Sequence, residues 1–357
     1  MRILIANPFG IGDVLFSLPM LYALRERDPK NYIGYLCNRR TEELVAACFP
    51  IDWHLVFEKD EFRAAWKRSR PAGFKQILSL VRTVSRQHFD LFIDLSMGWH
   101  YGLGAWAAGI PRRVGFDFRG RGRFLTDRLA LEGFHSQPVS RTILDLLSFL
   151  EIPAPKSPRY SLTLPKSVEQ QVESALKSHG IPNGDRLIAI VPGGGASWGP
   201  NAVYKQWPPE RFLETANHLA SQYGAKILLV GDAQEEVLCR KIADGLKTPP
   251  IPIPTTSLLF LAGLLKRCDL VLGNDSGPMH LAASVGTKTV TIFGPVDADV
   301  YGPRSDGAGG RVAALGLACR PCYQGFRFPP CPWDNACLKQ LAPSQVITAA
   351  EELLQTQ

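Results

Sequence analysis

Asp13 stands at the mouth of a glycine turn. In the stretch NPFGIGDVLFSLPML, residues 7–21, Gly10 and Gly12 have the G-x-G spacing of a nucleotide-binding turn and follow the apolar run RILIA. A third glycine is due at position 15, and Leu15 is there instead. A carboxylate in that place either caps the helix that begins there or takes a proton from a substrate hydroxyl. The residues alone leave both readings open.

A second turn has the opposite character. In LVLGNDSGPMHLAASVG, residues 270–286, a strand runs into Asn274-Asp275-Ser276-Gly277, and Pro278 opens a helix. The N–H groups around Ser276 and Gly277, with the helix dipole behind them, predict an anion site. His280 falls in the first helical turn, and Asp275 or Ser276 is expected to cap it. The stretch VPGGGASWGPNAVYKQWP, residues 191–208, puts glycines after another strand, leaving backbone amides at Gly194 and Gly195 open to a ligand. Lys205 follows in the same loop, a point charge able to neutralise a diphosphate or else a solvated loop lysine. Asp232, closing ILLVGD, is placed to bond a ribose hydroxyl, although GDAQEE leaves the register between Asp232 and Glu235 open.

Two motifs raise metal chemistry. Asp297 and Asp299 have D-x-D spacing, a triplet that is also common by chance. Cys319, Cys322, Cys331 and Cys337 form C-x2-C-x8-C-x5-C, which suits structural zinc or four reduced thiols in a proline-rich loop. Cys37, Cys48, Cys239 and Cys268 are scattered and read as packed free thiols. IPRRVGFDFRGRGRFLTDR interleaves Arg112, Arg113, Arg119, Arg121, Arg123 and Arg128 with Phe116, Phe118 and Phe124. It reads as a loop, either merely solvated or meeting an anionic partner.

The elements that must position these residues alternate strand and helix. RILIAN is followed by a helix from about Asp13 to Arg27, and FDLFIDLS is a near-continuous apolar run of the kind parallel strands show when both faces are covered. The proline-rich EIPAPKSPRYSLTLP, residues 151–165, reads as a linker, after which RLIAIV, AKILLVGD, CDLVLGND and KTVTIFGP resume the alternation. APSQVITAAEELLQ reads as a closing helix capped by Ser344. The expected fold class is therefore α/β with two Rossmann-like domains, residues 1–165 and 166–340, and a C-terminal helix over 341–357. With 357 residues, 45% of them hydrophobic, there is material for two cores. The net charge of +7 suggests either an acidic partner, such as nucleic acid, an anionic membrane or a phosphorylated substrate, or a merely soluble basic protein. No signal-peptide core and no membrane-spanning run is expected, which predicts a cytosolic protein with at most peripheral membrane association.

GDVLFSLPML, KQWPPERF and GNDSGPMHLAASVGTKTVTIFGP together resemble the ADP-heptose:lipopolysaccharide heptosyltransferases, glycosyltransferase family 9, and CRPCYQGF with its following cysteines is similar to the heptosyltransferase II branch. The resemblance runs in order from Ile3 to about Val346. It implies a GT-B fold, two Rossmann-like domains facing across a central cleft. The implied activity is inverting transfer of heptose from ADP-heptose to the inner core of lipopolysaccharide at the cytoplasmic face of the inner membrane. By this resemblance Asp13 is the catalytic base, Gly12 leaves room for the acceptor, and Lys205 meets the diphosphate. Asp275, Ser276, Gly277 and His280 surround the donor. The arginine stretch, Arg112, Arg113 and Arg121 above all, would meet the anionic lipid A–Kdo core and the bilayer rather than nucleic acid. No cofactor is implied for catalysis. Two rivals stay open: a dinucleotide-dependent oxidoreductase, disfavoured by Leu15, and a non-catalytic nucleotide- or lipopolysaccharide-binding protein, disfavoured by Asp13 and Lys205.

Overall fold

The computed structural model describes residues 1–182 and 184–355. It divides into two compact units, Met1–Arg159 and Tyr160–Gln357. In the first, strands β1 (Arg2–Ala6), β2 (Tyr32–Cys37), β3 (Trp53–Val56), β4 (Leu91–Asp94), β5 (Arg112–Phe118) and β6 (Asp127–Leu131) form one sheet in the order β3-β2-β1-β4-β5-β6. In the second, β7 (Leu187–Val191), β8 (Lys226–Leu229), β9 (Leu270–Asn274), β10 (Thr289–Ile292) and β11 (Gly310–Ala313) are ordered β11-β10-β9-β7-β8. Every pairing between these strands is parallel. The central strands β1 and β7 are apolar along their length because helices cover both faces, and Ile3, Ile5, Leu187 and Ile190 are fully buried.

Strand order fixes where ligands can sit. Chain direction across the sheet reverses between β1 and β4 in the first unit and between β7 and β9 in the second. The connections leaving the carboxyl ends of such a pair run to opposite faces and open a crevice. The turns after β1, β7 and β9 are the three singled out from the sequence, so each candidate turn lies at a switch point.

Five expectations are corrected. The arginine-rich stretch is not a loop: it is β5, a tight connection, and β6, with Val114, Phe116 and Phe118 buried. The boundary falls inside the proline-rich segment, before residue 165. Tyr160 and Ser161 donate their N–H groups to the Asp306 carboxylate at 2.8 and 2.9 Å, and Leu162 donates to the Ser284 carbonyl, so this part of the segment belongs to the second unit. The last helix, Pro343–Gln355, is no separate element, because Val346, Ala350 and Leu353 enter that unit's core. Ser344 lies inside this helix, and the Gln345 side chain accepts the Ala342 N–H at 3.3 Å in its place.

The expected helix from Asp13 to Arg27 is two helices, Ile11–Phe16 and Leu18–Arg27. Ser17 breaks it. Its hydroxyl donates to the Val14 carbonyl at 2.7 Å or shares a 2.8 Å hydrogen bond with the Tyr35 hydroxyl, and Pro19 can donate no backbone bond.

Candidate active site

In the second unit the turns after β7 and β9 are bolted together by Asn274, the fully buried last residue of β9. Its amide nitrogen donates to the Pro192 carbonyl at 2.6 Å, and its amide oxygen accepts the Trp207 N–H at 3.0 Å. One side chain thus ties the glycine turn and the segment carrying Lys205 to the strand end. Nothing in the sequence sets Asn274 apart from the rest of its turn, because a polar residue in a turn ordinarily faces water.

Lys205 is not a loop residue. It ends a 3-10 segment, Ala196–Lys205, and is 4% exposed. Its Nζ lies 2.6 Å from the Asp275 carboxylate and 4.4 Å from the centre of the Trp198 ring. His280 Nε2 stands 3.8 Å from the other Asp275 oxygen. Burial alone would raise the Asp275 carboxyl, but Lys205 and His280 outweigh it and hold it below the usual carboxylate range. The result is a buried lysine–aspartate–histidine cluster beneath the glycine turn.

The helix Gly277–Ser284 begins at Ser276, with Pro278 at its second position rather than its first. Neither expected cap is made. The Ser276 hydroxyl donates to the Asn274 carbonyl at 2.9 Å, and Asp275 is engaged with Lys205. Pro278 has no N–H and Met279 donates its own to the Ser276 carbonyl at 3.1 Å, so this end offers the Gly277 N–H with the positive dipole behind it.

Glu235, rather than Asp232, faces the glycine turn. A Cβ added to Gly193 would lie 1.7 Å from a Glu235 carboxylate oxygen, so only glycine leaves that carboxylate its place. Gly194 is constrained likewise, since its Cβ would meet the Ala202 carbonyl at 2.3 Å. Asp232 turns back on its own loop and accepts the Gln234 and Glu235 N–H groups at 2.8 and 3.1 Å. Burial raises the Glu235 carboxyl above its ordinary value, opposed by N–H groups of Asp232 and Gly195.

In the first unit Asp13 occupies the third position of the helix Ile11–Phe16, and its carboxylate is exposed. It accepts the Gly10 N–H at 3.2 Å, and the Asn7 amide donates to its backbone carbonyl at 2.9 Å. The glycine turn thus fixes the carboxylate while leaving it open to solvent. A second acid lies at the end of the adjacent strand. Asp94, 4% exposed, accepts both the N–H and hydroxyl of Ser96, at 2.8 and 2.5 Å. Burial pushes its carboxyl up to about 7 against those bonds. Its signal in FDLFIDLS is an acid closing an otherwise apolar strand.

The arginines divide by their bonds. Arg112 pairs with Asp127 at 3.3 Å and bonds the Phe149 carbonyl. Arg113 donates to the Phe124, Ile110 and Pro111 carbonyls. Both hold the β5–β6 edge, which weakens their claim to an acceptor. Arg119 and Arg121 lie over the Phe118 ring at 4.7 and 5.5 Å, and Arg123 lies over Trp99 at 4.6 Å, with their guanidinium groups still available to an anion.

Asp297 caps the short helix Ala298–Tyr301, its carboxylate accepting the Asp299 N–H at 2.9 Å, so the D-x-D spacing is that of a helix cap. Cys319, Cys322, Cys331 and Cys337 are free thiols lining one cavity of about 30 Å³. Among the described residues, no three metal-ligating side chains are drawn together closely enough to hold an ion. Between these cysteines, Tyr323 and Phe328 each pack 5.1 Å from Trp198, the ring over Lys205. The cysteine loop therefore braces the lysine.

The chain resembles known proteins over nearly its whole length. The sequence profile of Glycosyltransferase family 9 (heptosyltransferase) matches residues 77–324. The lipooligosaccharide heptosyltransferase 2 of Campylobacter jejuni serotype O:2 is 28% identical, covering 99% of this chain and 98% of its own. The crystal structure of a family 9 glycosyl transferase from Veillonella parvula superposes with a TM-score of 0.80 at 23% identity, over 100% of this chain and 97% of that one. The Escherichia coli ADP-heptose lipopolysaccharide heptosyltransferase II gives 0.76 at 22%, over 99% and 98%. Two parallel α/β units of this kind are the GT-B fold. With the profile matching well over half its length, the chain belongs to glycosyltransferase family 9 and is an enzyme of glycosyl transfer.

Proposed function

We propose that the enzyme moves heptose from ADP-heptose to the inner core of lipopolysaccharide, with inversion and without a catalytic metal. The observation that carries this reading is the buried Lys205–Asp275–His280 cluster at the start of the helix Gly277–Ser284, in a chain of this family. The relatives it matches along their whole length are named heptosyltransferases, which supports heptose as the sugar and the lipopolysaccharide core as acceptor.

In the proposed reaction the acceptor hydroxyl oxygen attacks the anomeric carbon on the face away from ADP. A sugar hydroxyl is a poor nucleophile, and Asp13 takes its proton as the new bond forms. The bond between the anomeric carbon and the β-phosphate oxygen breaks, and its electron pair leaves with ADP. Lys205 and the Gly277 N–H at the helix start meet that growing charge, a fixed electrostatic site of the oxyanion-hole kind. Glu235, facing the glycine turn, is the acid best placed for a ribose hydroxyl. Screening nucleotide-sugars against defined lipopolysaccharide cores tests the reading. Turnover confined to ADP-heptose and an inner-core acceptor is expected, and turnover with another donor only would overturn the choice of sugar.

The cysteine loop enters this proposal as a structural zinc knuckle. Four thiols line one cavity, with the Asn335 N–H donated to the Cys331 sulfur at 3.4 Å, and thiols are the donor type that structural zinc takes. Elemental analysis should find one zinc per chain, lost in Cys319→Ser. A chelator is then expected to act only through the knuckle. Zinc should restore any activity lost in EDTA, and magnesium or manganese should not. Asp297→Ala should be mild apart from the lost cap. Rescue by magnesium together with inactivity of Asp297→Ala would reinstate the D-x-D motif as a metal site.

A further inference from the structure

The helices Lys59–Arg68 and Arg70–Ser85 form a hairpin broken at Ser69, whose hydroxyl accepts the Ala72 N–H at 3.3 Å. The first of them buries no residue, and the second buries only Gly73 and Val84. Helices of this length ordinarily draw their stability from a buried apolar face. Val81 and Val84 do pack on the first unit's core, yet three larger apolar side chains lie outward: Trp66 is 42% exposed, Phe74 61% and Leu78 37%. Phe74, Leu78 and Arg82 follow at four-residue intervals along one stripe.

The charge is as one-sided. Residues 59–86 contain eight lysines and arginines against Asp60 and Glu61, an excess of six of the chain's net seven positive charges. Both acids are engaged, Asp60 with Arg63 at 3.6 Å and Glu61 with Arg39 at 3.3 Å. Among the described residues, Lys67, Arg68, Arg70, Lys75 and Arg82 pair with no carboxylate. None of the described helices is long and apolar enough to cross a membrane.

We infer that this hairpin is the surface by which the protein docks on an anionic lipid bilayer. Outward tryptophan, phenylalanine and leucine among unpaired basic side chains are the chemistry of a helix lying in a bilayer interface. The apolar groups enter the acyl boundary, while the lysine and arginine stems run along it and bring their charges to the phosphates. A nucleic acid would use the charge but leave Phe74 and Leu78 without a role. The arginine stretch of β5 and β6 is the weaker candidate: Arg112, Arg113 and Arg128 are held by protein groups, and beside the available Arg119, Arg121 and Arg123 the Phe116 and Phe118 rings are buried. The inference deepens the proposed function by naming where the enzyme meets its lipid-borne acceptor. It rests on that reading for its purpose and not for the binding.

The test is sedimentation of the full chain with phosphatidylcholine vesicles, with and without phosphatidylglycerol. Binding only to the anionic vesicles is expected, weakening with salt. Phe74→Ser/Leu78→Ser should lower partition roughly tenfold, and Lys67→Glu/Lys75→Glu at least as much. Circular dichroism and turnover on a lipid-free core oligosaccharide should stay unchanged in both. Equal sedimentation of wild type and folded variants, or binding to a DNA duplex with none to vesicles, would overturn the inference. If the transfer reading fails, no turnover appears in any sample while vesicle binding persists, so the two failures are distinguishable.

Discussion

Asp13→Asn should bind the nucleotide-sugar as the wild type does and turn over at least roughly 10²-fold more slowly, the usual scale for a general base. The substitution is chosen for what it keeps. An asparagine oxygen still accepts the Gly10 N–H that Asp13 accepts at 3.2 Å, and the Asn7 bond goes to the backbone carbonyl, so the turn should hold its shape. Only the basicity is lost. Single-turnover kinetics with calorimetry of donor binding separate the two quantities. Near-normal turnover would reduce Asp13 to a helix-terminal acid. A fall in donor affinity matching the fall in rate would mean that the carboxylate acts in binding.

The reading of Asp13 also shows where sequence carries and where it stops. Strand-to-glycine-turn boundaries were legible because parallel strands covered on both faces write apolar runs, and RILIA, LIAIV and LVLGN became β1, β7 and β9 almost as read. Position at the switch points followed from those boundaries. What failed depended on partners distant in sequence. Lys205 resembles a solvated lysine until Asp275, seventy residues on, is placed 2.6 Å away. Asp232 and Glu235 could not be told apart, because only the packing of Glu235 against Gly193 distinguishes them. The arginine stretch misled for a related reason. Alternating charged and aromatic residues suit an exposed loop, yet Val114, Phe116 and Phe118 face inward along β5 while Arg112 and Arg113 bond carbonyls at its edge. Asn274 and Asp94 are polar residues set apart by their burial, and burial is a property of the assembled sheet.

Lys205→Ala should have two separable effects. The first is on stability. Lys205 and Asp275 have side chains 4% and 7% exposed, and removing one partner of a buried pair leaves a charge poorly compensated, a loss of about 3–5 kcal/mol. That loss should depend on pH. In the wild type the Asp275 carboxyl lies below its ordinary value, so its contribution is full at neutral pH and fades only as pH falls through that depressed value. Without Lys205, burial pushes the carboxyl the other way, against His280 alone. Protonation then relieves the folded state, and the variant's deficit should shrink as the solution is acidified. The second effect is on chemistry. Losing the cation that meets the departing ADP should weaken donor binding and lower turnover by roughly 10²- to 10³-fold. Lys205→Ala/Asp275→Ala separates them, because deleting both charges should restore much of the stability while activity stays low. Urea unfolding across acidic to neutral pH, with calorimetry of ADP binding, measures both. A double variant that regains turnover along with stability would show that Lys205 serves the fold alone, and the leaving diphosphate would then depend on the helix start at Gly277 for its neutralisation.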